Sequence, residues 1–158
     1  MATMRSISII SIGHKTPDWI QTGCDYYYKM LLQHHKVQLQ HINAVSTKLD
    51  PKQREIKESE AIKSKIPAGS FIITMDEKGK EFSSNKFATF MNNTYDNFSK
   101  ITFIIGPSDG LSDEIKQLSN ASIALSKLTF THDLAKLLLL EGLYRCQCIT
   151  SGHPYHRD

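Results

Sequence analysis

The stretch Ile101-Thr102-Phe103-Ile104-Ile105-Gly106-Pro107-Ser108-Asp109-Gly110 decides the fold. Five apolar or β-branched residues in succession predict a strand buried on both faces, and Gly106 ends it. Ser112 then caps a short helix. A fully buried strand that turns through glycines into a helix is the building unit of a parallel α/β sheet.

The same unit recurs on either side. Toward the N-terminus, strands are expected over Phe71 to Met75, ending at Asp76, over Val37 to Ile42, and over Ser6 to Ser11. The first helix opens at Thr16-Pro17-Asp18, with Thr16 as N-cap and Pro17 at the first helical position. Trp19, Gly23, Tyr26, Tyr27, Met30 and Leu31 follow at helical spacing. A polar helix runs from Asp50-Pro51 to about Lys65, and another from about Ser84 to Tyr95 with Phe87, Phe90, Met91 and Phe98 on its inner side. Toward the C-terminus, Ser122 to Leu125 is a brief strand, and Thr131 caps a long helix with apolar Leu134, Leu137, Leu138 and Leu143. Strands alternating with helices predict one α/β domain over residues 1–158, a mostly parallel sheet with helices on both faces.

Composition narrows the class. Hydrophobic residues make up 40% and charged residues 22% of the 158, an ordinary globular balance. No run approaches the roughly 20 apolar residues of a membrane span, and Ile7 to Ile12 is too short and serine-broken for a signal peptide. A cytoplasmic protein with no membrane partner is expected. The net charge of +3 is compatible with an RNA partner without demanding one. Cys24, Cys146 and Cys148 form no zinc pattern and read as reduced, partly buried thiols. His34, His35 and His41 read as surface residues, and His14 as either a surface or a cleft residue.

Chemistry concentrates late in the chain. Gly106 and Gly110 bracket a loop at a strand end, where a parallel sheet places its ligands and where glycine permits either a tight turn or close approach of a ligand. Leu125-Ser126-Lys127-Leu128-Thr129-Phe130 precedes the long helix, and His132 stands at its start. Glu141, Tyr144 and Arg145 share one helix face by their i, i+3, i+4 spacing, which suits a surface ion pair or a substrate cleft. The tail His153-Pro154-Tyr155-His156-Arg157-Asp158 stacks two imidazoles, a phenol and a guanidinium into a segment that is normally frayed. No carboxylate or cysteine stands at ligand spacing beside them apart from Asp158, so no metal is expected.

Read together, Gly106-Pro107-Ser108-Asp109-Gly110, Leu125 to His132, Glu141-Gly142-Leu143-Tyr144-Arg145 and the His-Pro-Tyr-His-Arg tail resemble the ribosomal RNA large subunit methyltransferase H family, small members of the SPOUT class, over essentially the whole chain. The resemblance implies a C-terminal deep trefoil knot, S-adenosyl-L-methionine as cofactor, and methylation of N3 of a pseudouridine in 23S rRNA, within the large subunit or the assembled ribosome. It implies cofactor contacts from Met75, Gly106, Leu125, Ser126, Lys127, Leu128, Thr129 and Phe130. It implies a catalytic tail of His153, Tyr155, His156 and Arg157, with His132, Lys136 and Arg145 toward substrate and interface. It also implies a homodimer in which one subunit's tail completes the other's site. Pro107 and Lys136 depart from the family pattern, which has glycine and arginine there. Another SPOUT enzyme acting on a tRNA ribose hydroxyl, or a non-catalytic RNA-binding module, are the alternative readings.

Overall fold

The computed structural model describes residues 5–157; Asp158, at the end of the tail, lies outside the described residues. Ten elements alternate without exception: β1 (Ser6–Gly13), α1 (Asp18–Leu32), β2 (Lys36–Asn43), α2 (Pro51–Lys65), β3 (Phe71–Glu81), α3 (Ser84–Tyr95), β4 (Lys100–Ile105), α4 (Asp113–Leu118), β5 (Ala121–Ala124) and α5 (His132–Ser151). The strands form one sheet in the order β2-β1-β4-β3-β5, and every pairing is parallel. The α/β reading holds.

Alternation along the buried strands divides the core in two. Ile7, Ile9, Ile73, Ile101, Phe103 and Ile105 face α1, α3 and α5, while Ile10, Ile72 and Ile104 meet Ile62 of α2 and Ile115 of α4. Helices therefore cover both faces. At about 25 cal/mol per Å² of apolar surface, each buried isoleucine or phenylalanine contributes roughly 1.5–3 kcal/mol.

Several expectations need correction. Thr16 does not cap α1: Pro17 occupies the cap position with extended backbone, and its carbonyl accepts from the Ile20 and Gln21 amides. Leu125 lies outside β5. Phe98 lies beyond α3 and is 37% exposed, though its ring meets Phe71 edge-on. In α5 the fully buried leucines are Leu139, Leu140 and Leu143, whereas Leu134, Leu137 and Leu138 are only half-buried. Ser112 and Thr131 do cap as expected, accepting from Ile115 N at 3.2 Å and Leu134 N at 3.3 Å.

The largest departure is β3, which runs on through the charged segment Asp76 to Glu81. There the register against β5 shifts, with Met75 and Lys80 both pairing Ile123. Gly79 makes this course possible, because a Cβ at that position would stand 2.6 Å from the Ile123 nitrogen and 2.7 Å from the Ser122 carbonyl carbon. Asp76 steadies the bend by accepting from the Lys78 amide at 3.0 Å, and that bond holds its carboxyl below the usual carboxylate range.

His35 is also not a surface residue. It is 6% exposed, stacks on Tyr95 and pairs with Gln147 through Nε2. Burial lowers its pKa from the ordinary imidazole value, although the Gln147 bond opposes the shift. The unfolded chain therefore binds a proton that the folded one resists. Its contribution to stability is complete above about pH 6.5, the ordinary imidazole pKa, and declines as pH falls toward the depressed value. Urea unfolding at pH 7 and pH 5 should show this loss, and His35→Gln should reduce it.

Candidate active site

In a parallel sheet all C-terminal strand ends lie on one edge, and the candidate residues gather there. β5 is an edge strand, yet α5 begins against β1: an added Cβ on Gly13 would fall 2.2 Å from His132 Nε2. Residues 125–131 therefore carry the chain past the ends of β3 and β4, about 14 Å at the usual strand spacing. Met75 and Gly106 stand side by side where β4 ends, since Met75 pairs with Ile105 in register while β3 runs on beyond it. Topology thus brings Met75, Gly106 and the 125–131 strap together.

The strap is held at points and otherwise unsatisfied. Thr129 Oγ1 donates to Glu77 Oε2 at 2.9 Å, tying its middle to the extended part of β3. The Leu128 amide donates to Ser126 Oγ at 3.0 Å. Among the described residues, no backbone–backbone bond outside the regular elements uses the amides or carbonyls of 126–130. Leu125, Ser126 and Phe130 are half-buried, whereas Lys127, Leu128 and Thr129 are exposed, Leu128 by 70%. A row of unpaired backbone donors and acceptors above half-buried apolar side chains fits a flat heteroaromatic ligand carrying polar edges, as an adenosyl cofactor does.

Gly106 has a neighbour that the sequence does not reveal. A Cβ there would lie 2.6 Å from Leu111 Cγ, so the absent side chain makes room for the loop to fold back before any ligand is considered. Gly110, at φ 88°, closes that loop by donating to the Pro107 carbonyl at 2.8 Å. The turn and cofactor readings of this glycine pair are compatible.

Gly13 was not singled out from sequence. Its Cα seats the His132 ring, and its carbonyl accepts from His41 Nε2 at 3.2 Å, while Ser11 Oγ meets His41 Nδ1 at 3.3 Å. The available signal was a glycine closing an apolar strand, the same signature that marked Gly106. His14 beside it is exposed. Lys136 is 4% exposed, so its side chain is largely enclosed and offers little outward surface.

The tail turns back on α5. Gly152, with left-handed backbone at φ 74°, donates to Ile149 O, and His153 N donates to Cys148 O, the paired bonds of a Schellman ending. Tyr155 is thereby brought against Tyr144, edge-on at 4.8 Å, with the Arg145 guanidinium 4.8 Å from its ring centre. Its hydroxyl donates to Glu141 Oε1 at 3.0 Å and lies 3.2 Å from Tyr27 OH. Burial, then these two contacts, raise its pKa above the ordinary phenol value. Tyr155 is thus a packed anchor rather than a frayed end. Tyr144 is likewise 6% exposed and faces the core, leaving Glu141 and Arg145 as the outward pair on that turn.

His153, Pro154 and Arg157 are exposed, and His156 is half-buried. Arg145 Nη1 donates to His156 Nδ1 at 3.1 Å, and the Tyr155 amide donates to His153 Nδ1 at 3.1 Å. Both Nδ1 atoms are thereby placed as acceptors, an arrangement that suits the tautomer carrying its proton on Nε2.

Among the described residues no three His, Cys, Asp or Glu side chains could hold a metal, and no helix is long and apolar enough to cross a membrane. The three cysteines are free and buried, the Cys146 thiol pushed up to about 12 by burial.

Nearly the whole chain is also similar to known proteins. Residues 4–156 match the family described as "Predicted SPOUT methyltransferase". Ribosomal RNA large subunit methyltransferase H of Nitrosomonas eutropha is 38% identical over 153 residues, covering 96% of this chain and 98% of that protein. The proteins of the same name from Legionella pneumophila strain Paris, 38% identical over 98% of this chain and all of that protein, and Prochlorococcus marinus strain NATL2A, 35% identical over the full length of both, are similarly close. With nearly the whole chain matched both by the family and by these relatives, this protein belongs to the SPOUT methyltransferase family.

Proposed function

We propose that the chain is a cytoplasmic S-adenosyl-L-methionine-dependent methyltransferase acting on N3 of a pseudouridine in 23S rRNA, as part of the large subunit or the assembled ribosome. The observation that carries the cofactor assignment is the strap, whose backbone at 126–130, the Leu128 amide apart, is left unused by the described backbone. Leu125, Leu128 and Phe130 would wall the adenine, with Met75 and Gly106 below, while Ser126, Lys127 and Thr129 contribute main-chain atoms. The same reading takes the segment after β4 to be closed as the family's deep trefoil knot.

The cofactor supplies an electrophilic methyl group on a sulfonium. For that methyl to reach N3, the N3 proton would have to leave to solvent, and the residues around it would have to align the ring and favour its anion. The tail's part is to favour the N3 anion. In the Nε2-protonated tautomer, two Nε2–H donors and Arg157 can stabilise charge developing on the flanking carbonyl oxygens, so the proton need not pass to either imidazole. Tyr155 positions His153 and His156 through its seat on α5, and Arg145 orients His156.

A homodimer is part of the proposal. Trp19 and Tyr26 are seven residues apart on α1 and 67% and 58% exposed, an aromatic face that a monomer would leave wet. Mixing Gly106→Val subunits with subunits lacking the tail should restore partial methylation, because one site of the heterodimer keeps an intact pocket and an intact partner tail. If exchange is verified and no activity returns, the tail serves its own chain. Calorimetry tests the cofactor directly: Gly106→Val, by driving into Leu111, should weaken S-adenosyl-L-methionine binding at least tenfold, about 1.4 kcal/mol. Nucleoside mass spectrometry of rRNA from a deletion strain tests the target, with loss of one N-methylated pseudouridine expected.

A further inference from the structure

Lys136 is 4% exposed, and its ammonium makes no hydrogen bond or ion pair with any described residue. Its charge is felt by Cys24 of α1, across the α1–α5 contact. One turn earlier on the same helix face, His132 Nε2 is buried without a hydrogen bond; its nearest acid is Asp133, at 3.5 Å. Both nitrogens lie in the opening turns of a 20-residue helix, where the dipole also favours an anion. A charge that keeps so little contact with water is costly to fold unless something pairs with it. Removing it would relieve the fold, so its presence points to a ligand.

The position limits the anion. RNA phosphates belong to a bulky duplex or loop, whereas Lys136 opens to solvent over only 4% of its surface. α5 is entered directly from the strap, so a small carboxylate on the molecule held there arrives within one or two helical turns. We propose that the opening of α5 receives the amino-acid carboxylate of the cofactor between Lys136 and His132, an assignment that rests on the S-adenosyl-L-methionine reading above. Lys136 thereby distinguishes a complete cofactor from its adenosine fragment.

The experiment is calorimetry on the full chain with S-adenosylhomocysteine and its decarboxylated analogue, which keeps the adenosine, thioether and amine. The wild-type protein should prefer the carboxylate-bearing ligand by tenfold or more. Lys136→Met should abolish most of that preference while binding the decarboxylated analogue as the wild type does, and Lys136→Arg should retain it. The ligand-free melting temperature of Lys136→Met should not fall. Equal weakening of both ligands with a lower melting temperature would make Lys136 a packing residue and overturn the proposal, as would an undiminished preference in Lys136→Met. A wild-type protein that binds neither ligand would refute the cofactor reading itself.

Discussion

His156→Ala lowers methylation of an assembled ribosomal substrate by 10²-fold or more, the lower range for a positioned proton-handling or charge-stabilising group. Cofactor affinity should change little, because His156 is held by Arg145 on the far part of α5, remote in sequence from the strap. The Nε2-protonated tautomer, which the Arg145 contact suits, sharpens the expectation. If the imidazole acts as a donor, His156→Gln, whose amide also donates, should recover to within about tenfold of wild type. If it acts as a base, glutamine will be as poor as alanine. Tyr155 needs a gentler probe than alanine, since its ring is packed on Tyr144 and under Arg145. Tyr155→Phe keeps that ring and removes only the hydroxyl contacts to Glu141 and Tyr27. Wild-type rates in both His156→Ala and Tyr155→Phe would return the tail to a structural ending.

Gly79→Ala should be the most damaging single methyl in the chain. The atoms in its way are the Ile123 and Ser122 backbone, which cannot rotate aside as a side-chain tip would. Overpacking of this kind costs about 3 kcal/mol, the upper part of the range seen for crowded interiors. Relief would require β5 to separate from the outer half of β3, displacing the strap anchored there through Thr129 and Glu77. Urea unfolding should therefore show a large loss of stability, with cofactor binding weakened beyond what the unfolded fraction accounts for. Gly13→Ala is the milder counterpart: the clash is with the end of the His132 ring, which can swing away, so stability should suffer less than the seating of α5.

The alternation of elements was legible because each strand is a short apolar run bounded by proline, glycine or a cap residue, and Ser112 and Thr131 capped as their positions foretold. What eluded the sequence depended on partners distant along the chain. Asp76 to Glu81 carries five charges around one glycine and reads as a turn, yet it continues β3 because β5 runs close enough for only a hydrogen atom to fit. His35 sits among polar neighbours in sequence but between Tyr95 and Gln147 in space. The glycine loop and strap were found through apolar context and resemblance. The seat of His132 on Gly13, 119 positions away (132 − 13), leaves no local trace.

The anchoring of Tyr155 also sets a ruler for the dimer. His156 and Arg157 follow it directly, and two extended residues reach about 7 Å. A tail tethered at that point can touch a partner's bound substrate only if the partner's strand ends lie within this span plus one side-chain length. In the proposed homodimer, an arrangement that held those strand ends farther from the seat formed by Tyr27, Glu141 and Tyr144 would leave His156 and Arg157 out of the partner's active site.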